Sequence, residues 1–313
     1  MGGVRPLPLL LATGIAVATL GTAACSSDDG AAASGKVDVV AAFYPLQFVA
    51  ERVGGDAVKV TNLAQPGVEP HDLELQPKQL AGIADADLSL YLAGFQPAVD
   101  EAVEAEAKDR AFDVATVQPL SDAPEEAHEE GEKEEHANEG KDPHVWLDPT
   151  RLAAIADKVA ERLGSVDKDN ADAYEDRATA LRKELATLDT EFETGLKTCD
   201  RRDIVTSHAA FGYLAAKYNL NQVPISGVSP EAEPNPQQVA EVAALAKEKG
   251  VTTIFFETLV SPKVAETLAK EVGAKAEVLD PIEGLASDAA PGTDYLSVMR
   301  QNLGKLRAAL SCR

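Results

Sequence analysis

Three histidines stand in short segments suited to holding a metal ion. His71 lies in Gly67-Val68-Glu69-Pro70-His71-Asp72, and His144 in Asp142-Pro143-His144-Val145-Trp146-Leu147-Asp148-Pro149. His208 lies in Thr206-Ser207-His208-Ala209-Ala210-Phe211-Gly212-Tyr213. A carboxylate, Asp280, sits in a similar setting in Leu279-Asp280-Pro281-Ile282-Glu283-Gly284. Neutral imidazole and carboxylate are both zinc ligands, and three of the first with one of the second complete a tetrahedron. The four are far apart in the chain, so local spacing does not bring them together, and a loop histidine can equally be a surface or hydrogen-bonded residue. An imidazole that binds metal needs its other nitrogen oriented, and Asp72, Asp148 and Glu257 are placed to do so. Each can equally cap a helix or face solvent, and for Asp148 that reading is the stronger. Trp146, the single tryptophan, is expected to pack beside the site.

Strand and helix patterns alternate along the chain. Apolar runs predict strands at 37–43, 57–63, 88–92, 111–115, 203–207 and 251–256. Helices are predicted at 46–53, 77–84, 97–108, 151–163 and 210–218. This order argues for parallel sheets covered by helices. The second half repeats the first: Gly67-Val68-Glu69-Pro70 has its counterpart in Gly227-Val228-Ser229-Pro230, and each is followed by a Pro-x-Gln opening a helix, at Pro77 and Pro236. The expected fold is therefore α/β, with two similar parallel-sheet lobes and a ligand cleft between them. Between the halves, Ala171, Tyr174, Ala178, Leu181, Leu185, Leu188, Phe192 and Leu196 recur in steps of three and four. They predict one stiff helix over 168–197, about 45 Å long, joining the lobes. The boundaries are a first lobe at 37–165, the connecting helix at 166–198 and a second lobe at 199–313.

The formal charge is −23, which disfavours a nucleic-acid partner. Residues 122–142 hold ten acids against two lysines, together with His128 and His136. The stretch cannot bury a core and is expected to be a solvated loop. It is either an inert insertion or a weak second ion site using those two histidines. Residues 1–24 read as a signal peptide: Arg5, then an apolar stretch, then Gly21-Thr22-Ala23-Ala24 before Cys25. That junction resembles a bacterial lipoprotein cleavage box, which implies a lipid on Cys25 and a flexible tether at 25–36. Outside the cytoplasm, Cys199 and Cys312 are expected to form a disulfide.

The four segments carrying His71, His144, His208 and Asp280 resemble, in order, those of the zinc and manganese solute-binding proteins of ABC transporters, the zinc-uptake and metal-adhesin family. The resemblance runs from Val37 to Cys312. It implies metal ligation by the three histidines, with the acid at Asp280 often completing the site, and with Glu69, the acid near the first histidine, or a water as the alternative fourth ligand. It also implies delivery of the ion to a membrane permease driven by an ATPase, by a monomer held at the outer face of the membrane. Zinc is expected over manganese, because manganese-binding members carry Glu where His208 stands and manganese prefers more oxygen ligands. A surface adhesin is an alternative. A zinc hydrolase is disfavoured, since four protein ligands would close the position that catalytic zinc keeps open. There is also no His-Glu-x-x-His or nucleophile elbow.

Overall fold

The computed structural model describes Gly2, residues 35–124, Asn138, residues 140–232 and residues 234–313. Cys25 with its tether as far as residue 34, and His128 and His136, lie outside the described residues. Among the described residues, no helix is long and apolar enough to cross a membrane.

The first lobe contains β1 (Val37–Ala41), α1 (Tyr44–Gly54), β2 (Val58–Asn62), α2 (Pro77–Asp85), β3 (Leu88–Tyr91), α3 (Pro97–Glu106), β4 (Ala111–Asp113) and α4 (Pro149–Val166). Helix α5 (Ala171–Gly195) follows. The second lobe contains β5 (Asp203–Thr206), α6 (Gly212–Lys217), β6 (Asn221–Pro224), α7 (Pro236–Glu248), β7 (Thr253–Phe256), α8 (Lys263–Val272), β8 (Lys275–Val278) and α9 (Tyr295–Leu310). Every pairing is parallel. The strand orders are β2-β1-β3-β4 and β6-β5-β7-β8, the same order twice. The repeat seen in the Gly-Val-x-Pro segments is thus a repeat of topology. Central strands are apolar almost throughout, as parallel strands buried on both faces must be. The edge strands β6 and β8 are polar and only half-buried, so no apolar run announces them.

Prolines set several helix starts. Pro149 occupies the first position of α4, where a missing N–H costs nothing, and the helix begins there rather than at residue 151. The Asp148 side chain caps it by accepting from Thr150 N–H. The long central helix is a short 3-10 turn, Lys168–Asn170, followed by the 25 residues of α5. Its stripe from Tyr174 to Leu196 is buried, while Ala171 at its start is only half so. Helix α5 packs against α1, α4 and α9, which belong to both lobes. One apolar core runs through the first lobe, α5 and the near side of the second, taking in Phe211, Phe255, Leu279, Ile282 and Tyr295. Lobes that share a core in this way cannot swing apart freely. Cys199 and Cys312 are joined by a disulfide that ties the C-terminus to the start of the second lobe.

Candidate metal centre

Segments that follow the carboxyl ends of strands in both lobes contribute to one cluster. His71 follows β2, and His208 follows β5 directly. His144 precedes the 3-10 turn Val145–Leu147 that leads into α4, and Glu283 lies between β8 and α9. Among the described residues, these four form the group able to hold a metal ion, each offering a ligand atom within 4.8 Å of the others. Glu283 Oε1 stands 3.1 Å from His144 Nε2, 3.2 Å from His208 Nε2 and 3.5 Å from His71 Nε2, and the Nε2 atoms of His144 and His208 are 3.3 Å apart. Ligands at zinc's usual bond lengths occupy tetrahedron corners about 3.3 Å apart. The four separations just given, 3.1 to 3.5 Å, are close to that spacing.

The surroundings explain why such a cluster persists. His144, His208 and Glu283 are at most 1% exposed and His71 8%. His71 Nε2 is buried without a protein hydrogen bond, a lone pair left for something else. Burial acts to lower its pKa and the charge of Glu283 to raise it, and the net direction is down. Burial also acts to lower His208, but the charges of Glu257 and Glu283 outweigh it and push the ring up to about 10. For His144, burial is likewise outweighed, by hydrogen bonds and charge from Asp142 and Glu283, and the net direction is up. Burial acts to raise Glu283, yet the His71 and His208 charges hold it well below the usual carboxylate range. A buried carboxylate demands a cation. Imidazolium supplies it in the protein alone, and a divalent ion would supply it on binding.

Each candidate ligand is fixed through its second nitrogen or its backbone. Glu257 accepts from His208 Nδ1 at 2.8 Å and from the Ser207 hydroxyl at 2.6 Å. Asp142 lies 2.8 Å from His144 Nδ1 and also accepts the His144 backbone N–H. Of the acids expected to orient imidazoles, Glu257 does so, Asp148 caps α4, and Asp72 is exposed. Asp142 was not among them, although the Asp-x-His spacing is a local signal for it. Trp146 packs 5.2 Å from the His144 ring, and Phe95 lies edge-on to His71 at 4.6 Å, so the cluster has an apolar wall. A cavity of about 280 Å³ opens beside His71 and Phe95, with Asp100, Asn138 and Lys141 on its lining.

Two expected carboxylates stand elsewhere. Asp280 does not join the cluster: one oxygen accepts the Ile282 N–H at 2.8 Å and the other the Thr258 hydroxyl at 3.1 Å. Glu283, three residues on in the same segment, is the carboxylate that lies among the three histidines. Glu69 accepts the backbone N–H groups of His71 and Asp72, shaping the turn rather than pointing at the nitrogens. Burial raises its carboxyl to about 7 despite those hydrogen bonds.

The chain can now be set beside known proteins. Residues 39–309 match the family described as zinc-uptake complex component A, periplasmic. Over 305 residues, covering 95% of this chain and 96% of the relative, it is 38% identical to the high-affinity zinc uptake system protein ZnuA of Bacillus subtilis. It is 35% identical to the zinc-binding lipoprotein AdcA of Streptococcus pneumoniae over 97% of this chain, but spans only 61% of that longer protein. Among solved structures, the Zn(II)-bound ZnuA-like domain of S. pneumoniae AdcA superposes with a TM-score of 0.74 at 33% identity, covering 88% of this chain and 99% of that one. The laminin-binding protein Lmb of Streptococcus agalactiae, described as having adhesin and metal transporting activity, gives 0.77 at 33% identity, with coverage of 88% and 99%. These relatives favour zinc over the manganese alternative, in keeping with an imidazole at His208, and the family is one of solute-binding proteins rather than enzymes. The chain belongs to the zinc-uptake complex component A family.

Proposed function

We propose that this protein captures one zinc ion through His71, His144, His208 and Glu283, outside the cytoplasm, and passes it to the permease of an ATP-driven importer. The observation that carries the reading is the convergence of three imidazole nitrogens and one carboxylate oxygen within 4.8 Å of one another, a donor set suited to tetrahedral zinc. Two ligands come from each lobe, so a bound ion bridges them. The shared core and the stiff α5 disfavour wide opening, and release then proceeds by local movement of the ligand turns. A lipid on Cys25 would hold the protein, as a monomer, at the outer membrane face beside its permease. The test is metal analysis of protein purified without chelator, followed by zinc and manganese competition. Manganese displacing zinc at equal concentration would overturn the choice of ion, and a Cys25→Ser protein still found in the membrane fraction would overturn the anchor.

Likeness to a laminin-binding structure gives a second reading, surface adhesion. Laminin binding that survives replacement of all three histidines would establish adhesion as a function separate from metal capture.

A further inference from the structure

Ile282, immediately before Glu283, has φ +60°. This left-handed region is rare for any residue with a Cβ and a true outlier for a β-branched one. Ile282 is also fully buried. A conformation of this kind persists only where the surroundings over-determine it. Here they do. Asn302, fully buried on α9, accepts the Asp280 backbone N–H at 3.1 Å through Oδ1 and donates through Nδ2 to the Asp280 carbonyl at 2.7 Å. Asp280 in turn accepts the Ile282 N–H. Trp146 Nε1 donates to the Pro281 carbonyl at 2.8 Å, and Tyr44 N–H donates to the Glu283 carbonyl at 3.3 Å. Backbone groups of Asp280, Pro281 and Glu283, on both sides of the outlier, are therefore held from other elements.

We propose that Asn302 is a positioning residue for the fourth ligand: by gripping both backbone groups of Asp280 it holds the strained Ile282 turn that sets the Glu283 carboxylate against the three imidazoles. The proposal rests on the reading of Glu283 as a zinc ligand. It gives Asp280 a role different from ligation, as the capping link between Asn302 and Ile282. It also supplies a route for release, because a turn under strain leaves its position once the grip is lost.

The test is a double-mutant cycle read by zinc affinity against a competing chelator. Asn302→Leu keeps the branched side-chain shape and removes both hydrogen bonds; it should lose about 10–100-fold in affinity, the scale for residues that orient metal ligands. Combined with Glu283→Ala it should cost less than about twofold more than Glu283→Ala alone, since there is no carboxylate left to position. The cobalt-substituted Asn302→Leu protein should shift its visible absorption toward that of Glu283→Ala. Ile282→Gly placed in the Asn302→Leu background should recover part of the lost affinity, because glycine adopts this turn without strain. Should Asn302→Leu not melt cooperatively, Asn302→Ser, too short to hold both groups, carries the same cycle. Unchanged affinity in the Asn302 variant, or a loss that adds in full to that of Glu283→Ala, overturns the proposal. A Glu283→Ala protein with undiminished affinity instead overturns the ligand assignment, a separate result.

Discussion

Asp142 holds His144 twice with one oxygen, accepting the backbone N–H at 2.9 Å and standing 2.8 Å from Nδ1. With Nδ1 protonated and donating to Asp142, Nε2 is left with its lone pair facing Glu283 and His208. The acid is itself locked from the second lobe: Tyr213 donates its hydroxyl to the Asp142 carbonyl at 2.9 Å and accepts the Ser121 N–H at 2.8 Å. A Cβ at Gly212 would come within 2.6 Å of Asp142 Oδ2. Asp142→Ala should therefore weaken zinc binding by about 10–100-fold with little change in melting temperature. Gly212→Ala should act in the same direction by displacing the carboxylate. Chelator competition measures both, and full affinity in Asp142→Ala would show that the contact does not orient the ring.

Replacing His71, His144 or His208 with Ala removes a ligand and should cost more than the roughly 100-fold ceiling for an orienting residue. Glu283→Ala should join that class. Asp280→Asn keeps an oxygen able to accept the Ile282 N–H, and its loss should be smaller than that of Glu283→Ala. Equal losses at Asp280 and Glu283, measured in the same competition assay, would return Asp280 to the ligand set.

How far these residues were legible in the chain differs from one to the next. His71, His144 and His208 stand out because imidazole is scarce here and each follows a pattern that ends a strand or opens a helix. The repeat of Gly-Val-x-Pro segments was enough to expect two similar lobes. The fourth member of the cluster was legible only to within a hexapeptide. Leu279-Asp280-Pro281-Ile282-Glu283-Gly284 offers two acids, and the choice is made by a backbone outlier at Ile282 and by Asn302, 22 residues beyond Asp280 on another element. No local pattern encodes a grip from so far along the chain. Strands β6 and β8 were hidden for a different reason: at a sheet edge half the side chains meet water, so Asn221–Pro224 and Lys275–Val278 carry no apolar run.

Zinc binding should release protons near neutral pH. The His208 ring, pushed up to about 10 by Glu257 and Glu283 against its burial, is protonated in the metal-free protein and must give up its proton to bind. Affinity should therefore rise with pH across the neutral range and level off near 10. In the metal-free protein the sign for stability is opposite. A raised folded pKa contributes stability fully present below the ordinary value of 6.5 and lost as pH climbs through about 10. Calorimetry in buffers of differing ionisation heat counts the protons; zero net release at pH 7 would contradict a protonated His208.

Cys199 and Cys312 should resist thiol reagents until reduced. Their bond closes a loop of 113-residue separation, for which chain entropy sets a contribution of about 4–5 kcal/mol as an upper bound. Reduction, or Cys199→Ser with Cys312→Ser, should lower the melting temperature in chemical and thermal unfolding. Zinc affinity should change little, because no ligand lies on the residues the bond joins. A large affinity loss without a stability loss would contradict this separation of roles.

The acidic stretch must be cut with care, because its last residue belongs to the site. Deleting all of residues 122–142 would remove Asp142, and with it the acceptor for both His144 groups. It would also remove the Lys141–Asp122 pair and the Asn138 contact to the Ala93 carbonyl that hold the ends of the segment. Deletion of residues 125–137 alone leaves Asp122, Asn138, Lys141 and Asp142 in place, and should preserve the fold and the affinity of the cleft. The intact protein has His128 and His136 among many acids, imidazole and carboxylate groups in sequence proximity that can share a further zinc ion weakly. Titration calorimetry should then find more than one zinc per intact chain at high concentration and one per shortened chain. Under zinc scarcity the shortened protein should also support slower uptake, if ions gathered by the stretch reach the cavity beside His71. Equal stoichiometry in the two proteins would reduce the acidic stretch to a solvated insertion.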